Sequence, residues 1–93
     1  MLDMTSTYKL KAGIVLKSIN GKYWALSTLT GNQYRLNEVS YSIMNELTET
    51  KNIHELVYSL IKTYKVSTQE FTDDCSDFIK NALQGGLIEE VSI

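Results

Sequence analysis

Hydrophobic positions along this chain follow two periods in turn, and the change between them falls at Asn37. Before it, Tyr34 and Leu36 alternate with Gln33 and Arg35, which predicts a short strand with two distinct faces. Upstream, Ile14-Val15-Leu16-Lys17-Ser18-Ile19 and Lys22-Tyr23-Trp24-Ala25-Leu26-Ser27-Thr28 flank Asn20-Gly21. Asn and Gly tolerate the positive φ of a two-residue turn, so these runs read as a β-hairpin. Thr30-Gly31-Asn32 supplies the next turn, and the strand Gln33 to Leu36 completes a three-stranded meander.

After Asn37 the spacing becomes helical. Asn37 caps a helix with Val39, Ile43, Met44 and Leu47 on one side, expected to stop near Thr48 to Thr50. Asn52-Ile53-His54-Glu55 is a capping box opening a second helix with Ile53, Leu56, Val57, Leu60, Ile61 and Tyr64 as its apolar stripe. Ser67-Thr68-Gln69-Glu70 repeats that logic for a third, carrying Phe71, Cys75, Phe78, Ile79, Ala82 and Leu83. Gly85-Gly86 ends it, and Leu87 to Val91 form a last short extended segment. Residues 1–8 are expected to be loose, apart from what Tyr8 and Leu10 pack against.

The predicted class is α+β: a three-stranded antiparallel sheet followed by three helices, in a winged-helix-like order. So small a sheet needs helices over one face. The third strand should lie at the sheet's edge, and an open edge beside a helix is a place where a peptide could bind. With 93 residues there is one domain, spanning residues 1–93, with room for one core and little for a deep substrate cavity. A hydrophobic content of 43% and a net charge of −2 suit a globule. Neither a membrane-spanning run nor a basic-then-apolar signal pattern is present, and Cys75 is the single cysteine. A cytoplasmic protein with no membrane partner, no internal disulfide and no cofactor is therefore expected.

Catalysis needs a constellation, and the chain offers single pieces. His54 reads as an exposed first-turn residue, and Cys75 as a small hydrophobe inside an apolar stripe. Asp73, Asp74 and Asp77 lack the glycine turn of a calcium loop, and acids near a helix start favour its positive end, so no metal site is expected. Strands, short helices and a third helix also describe winged-helix DNA-binding proteins. On the helix that would enter a groove, however, Glu70, Asp73, Asp74 and Asp77 stand against Lys80 alone, which would repel phosphates. Neither an enzyme nor a nucleic-acid partner is expected.

The hairpin, Gly31 to Leu36 running into Asn37-Glu38-Val39, the second helix ending in Tyr64-Lys65-Val66-Ser67, and the third helix closing with Gly86-Leu87-Ile88 together resemble the PqqD-like family over roughly residues 13–89. These are precursor-recognition domains for ribosomally made, post-translationally modified peptides. The resemblance implies that the leader segment of a precursor adds as a strand to the third strand and packs against the third helix. Carried onto this chain, the peptide-binding residues are Gln33, Tyr34, Arg35 and Leu36 on the strand, with Asp74, Phe78 and Asn81 along one stripe of the helix. The domain would deliver the precursor without altering it. The separate chain resembles the stand-alone recognition proteins of lasso-peptide pathways, whose partners are a cysteine-protease-like leader peptidase and an asparagine-synthetase-like cyclase. The alternative within the family is presentation to a radical SAM enzyme.

Overall fold

The computed structural model describes residues 5–91. Among the described residues, two three-stranded antiparallel sheets and three helices share one core. Strands β2 (Ile14–Ile19), β3 (Lys22–Ser27) and β4 (Gln33–Leu36) form the expected meander in the order β2-β3-β4. A tight turn joins the first two, with Asn20 at φ 51° and Gly21 at φ 74°. Both values belong to the mirror-image turn whose twist matches the strands it connects.

The second sheet escapes the sequence pattern. Strand β1 (Thr7–Leu10) lies between β5 (Lys51–Asn52) and β6 (Ile88–Val91), so segments far apart in the chain meet there. Tyr8 pairs with Lys51 on one side and Glu90 on the other, and its side chain is fully buried. Thus Thr7 and Tyr8 are held in a sheet, where a loose start was expected; residues 1–4 lie outside the described residues. The expected last extended segment is β6.

Helix α1 (Glu38–Glu46) starts where Asn37 Oδ1 accepts from the Ser40 amide at 2.7 Å, and it ends slightly before the expected Thr48. Helix α2 (Ile53–Leu60) opens on a complete capping box: the Glu55 amide donates to Asn52 Oδ1 at 2.9 Å, and the Asn52 amide donates to Glu55 Oε1 at 3.0 Å. Helix α3 (Thr68–Gln84) starts at Ser67, whose Oγ accepts from the Glu70 amide. Its C-terminus is a Schellman closure, with Leu87 N–H on Ala82 O and Gly86 N–H on Leu83 O. Gly86 takes the left-handed φ of 74° that this closure requires, and Leu87 drops into the core behind it.

The core is the meeting of all these apolar faces. Ile43 and Met44 from α1 with Leu47 at its C-cap, Ile53 and Leu56 from α2, and Phe71, Cys75 and Ile79 from α3 are buried with Tyr8. The meander contributes Ala25, completely buried at the centre of its inner face, with Leu16, Tyr34 and Leu36 partly buried around it. Among the described residues no helix covers the other face of the meander, where Val15 is 48% and Ile19 45% exposed.

Candidate peptide-binding site

Which backbone groups of β4 remain available follows from hydrogen-bond alternation. The Asn20–Gly21 turn makes Ile19 and Lys22 a hydrogen-bonded pair. Along β3 the groups then alternate, so those of Trp24 and Leu26 face β2 and those of Tyr23 and Ala25 face β4. The other end of β3 agrees independently: the Ser27 amide donates toward the β4 side, to Asn32 O at 2.9 Å. Ala25 lies opposite Tyr34, and Tyr23 opposite Leu36. Tyr34 and Leu36 therefore use their amides and carbonyls within the sheet. Gln33 and Arg35 point theirs outward, at an edge that pairs with no strand among the described residues.

Side chains of the same four residues divide the other way. Tyr34 and Leu36 turn inward and are half-buried against the core, whereas Gln33 and Arg35 are exposed on the outer face. There the Arg35 guanidinium lies 5.3 Å from the centre of the Trp24 ring, within cation–π range.

On α3, Asp74, Phe78 and Asn81 follow one flank of the buried stripe. Phe78 packs partly against the core, and Asp74 and Asn81 are exposed. Gly85 continues this flank, its amide donating to Asn81 O at 2.9 Å. Gly85 and Gly86 line a cavity of about 190 Å³ together with Tyr34, Ile14, Leu29 and Lys11. The structure thus brings Tyr34 to the C-terminal end of the α3 flank. Asp74, at the other end, is about 16 Å along the helix axis from Gly85.

Lys11, Ile14, Leu29 and Gly85 are cavity residues that sequence reasoning missed. A signal existed for one of them. Closing the helix needs a single left-handed residue, Gly86, whereas Gly85 has φ −80° and is free of that demand. The second glycine leaves the cavity wall without a side chain.

The remaining candidates fall outside this site. Cys75 is buried, and burial, followed by the nearby Asp74 charge, pushes its thiol up to about 11, so the protonated form dominates at neutral pH. His54 is exposed beside an open hollow of about 440 Å³ shared with Lys51, Glu55 and Tyr58. Among the described residues no helix is long and apolar enough to cross a membrane.

An unpaired edge with outward amides and carbonyls, next to a cavity lined by an aromatic ring, has the architecture of a module that accepts an extended peptide as an added strand. The chain belongs to the PqqD family: the family model described as Coenzyme PQQ synthesis protein D (PqqD) matches residues 13–88. Among solved structures it is similar to TbiB1 in complex with the TbiA(beta) leader peptide, at 25% identity and a TM-score of 0.78, covering 91% of this chain and 99% of that one. It also shares its fold with lasso peptide synthetase B1 complexed with the leader peptide, at 16% identity and a TM-score of 0.75, over 88% of this chain and 96% of that one. No curated protein matches the chain.

Proposed function

We propose that this protein binds the leader segment of a ribosomally made precursor peptide and presents it to the modifying enzymes of a lasso-peptide pathway. The observation that carries the reading is the β4 edge, where the amides and carbonyls of Gln33 and Arg35 face outward. The leader joins there as a fourth strand. Backbone pairing supplies affinity, and Tyr34, Leu36 and the Asp74, Phe78 and Asn81 flank of α3 select the side chains. The two similar structures, each a complex with a leader peptide, support this, as does membership of the PqqD family.

In this reading the protein performs no chemistry and needs no cofactor. A leader peptidase and a cyclase are the enzymes it serves, in the cytoplasm. The description of the family model, Coenzyme PQQ synthesis protein D, favours a second reading, a role in coenzyme PQQ synthesis, for which the family resemblance implies presentation of a precursor to a radical SAM enzyme. The gene's neighbourhood separates the two: peptidase and asparagine-synthetase-like genes beside a short precursor frame point to the lasso pathway, a radical SAM gene to the other.

Titration of the isolated protein with the labelled leader and core halves of that precursor tests the reading directly. The leader half should bind, the core half should bind weakly, and mass spectrometry should find both unchanged. Cleavage or modification of the peptide by this protein alone would overturn the adaptor role. Salt-sensitive binding to duplex DNA without leader binding would point to a nucleic-acid function.

A further inference from the structure

The outer face of the meander combines one sign of charge with uncovered apolar surface. Cross-strand pairing sets Lys17, Trp24 and Arg35 in one row and Val15, Leu26 and Gln33 in the next, with Ile19 and Lys22 beyond. Lys17, Lys22 and Arg35 are all cationic, and the three strands contain no acidic residue. Val15 and Ile19 are about half exposed, and a shallow cavity of about 190 Å³ runs among Lys17, Ile19, Trp24, Leu26 and Gln33. The chain as a whole carries a net charge of −2, so this face opposes the sign of the molecule.

Strand addition at β4 extends this face. Residues directly opposite one another on paired strands point to the same side of a sheet. Leader residues opposite Gln33 and Arg35 therefore turn outward, beside the Arg35–Trp24 pair, and the one between them turns inward with Tyr34. A cation turned outward would meet Arg35 in a like-charged pair, which is unfavourable, whereas a carboxylate would meet its complement.

We propose that the outer face selects leaders by charge: the segment that joins β4 carries Asp or Glu at alternate positions, facing Arg35 and backed by Lys17 and Lys22, with apolar residues between them facing Tyr34 and the cavity. This rests on the leader-binding reading and adds the chemical class of leader to it. Arg35 becomes a specificity residue, and Trp24 holds its guanidinium in place.

The test is a charge swap, read by fluorescence anisotropy with the leader half of the precursor encoded nearest this chain's gene. Each acidic residue of the leader is changed to Lys in turn, and each peptide is titrated against the wild-type protein and against Arg35→Glu. One acidic position should lose about five- to tenfold in affinity for the wild type and regain it with Arg35→Glu. Its effect should shrink with added salt. Because the peptide changes leave the protein untouched, the result stands even if Arg35→Glu folds poorly. Arg35→Gln, checked by circular dichroism, should lose affinity for the native leader and recover affinity for the swapped one only in part, less than Arg35→Glu does. Tight binding of a leader lacking an acidic residue, or acid-to-Lys changes without effect, would overturn the charge selection while leaving leader binding intact. Absence of any leader binding to the wild type would remove the underlying reading as well.

Discussion

Tyr34 and Arg35 are neighbours with opposite duties. The Tyr34 backbone is used inside the sheet and its ring lines the cavity, whereas the Arg35 backbone faces the open edge and its side chain lies over Trp24. Arg35→Pro should therefore remove an edge donor without breaking a bond to β3, so leader binding is lost while the far-ultraviolet circular dichroism stays native. Loss of the fold would show that its amide serves β3 after all. Tyr34→Ala leaves the edge able to pair and should weaken leader binding by about 1–3 kcal/mol in a titration with the labelled leader. Unchanged affinity in the folded variant would exclude Tyr34 as an anchor. Because Tyr34 also packs on the core, its stability is measured alongside.

Among the elements, β5 and α2 are joined by one residue. Asn52 ends the strand and caps the helix through both halves of the capping box. Asn52→Ala should cost about 1 kcal/mol in urea unfolding, and Asn52→Asp should recover most of it. Just before it, Lys51 reaches back to Glu46 at the end of α1, with Nζ 2.6 Å from Oε1. The bond to Glu46 raises the Lys51 ammonium above its ordinary value of 10.5. A raised lysine stabilises the fold fully below its unfolded value and loses that contribution as pH climbs through the folded one. Stability should thus fall on the alkaline side of 10.5, and Glu46→Gln should flatten this part of a pH series of thermal unfolding curves.

For the whole molecule, the second sheet ties the chain together. Strand β1 joins β5 and β6, and the Leu10 and Lys11 amides reach the carbonyls of Leu47 and Leu87, at the ends of α1 and α3. Tyr8, in the middle of that strand, is 1% exposed. Tyr8→Ala should cost about 3–5 kcal/mol, a large share of the roughly 5–15 kcal/mol that holds a domain of this kind together. Calorimetry should show one transition at a much lower temperature for the variant. An unchanged melting temperature would mean that β1 is dispensable.

Local chemistry made much of this molecule legible in the sequence. Asn20-Gly21 defines its turn because those residues accept positive φ; Asn37, Asn52 and Ser67 define helix starts because their side chains satisfy free amides; and the stripes of α1, α2 and α3 follow from helical spacing. Each signal lies within a few residues of what it specifies. The β5-β1-β6 sheet has no such signal, because its pairing partners are dozens of residues apart and β5 is only two residues long. The candidate site divides in the same way. Alternation assigned Tyr34 and Leu36 to one face and Gln33 and Arg35 to the other, but the pairing register with β3 decided which amides remain at the edge. Placing Gly85 and Gly86 opposite Tyr34 required the packed structure, since a cavity belongs to the surfaces that enclose it and to no single segment of the chain.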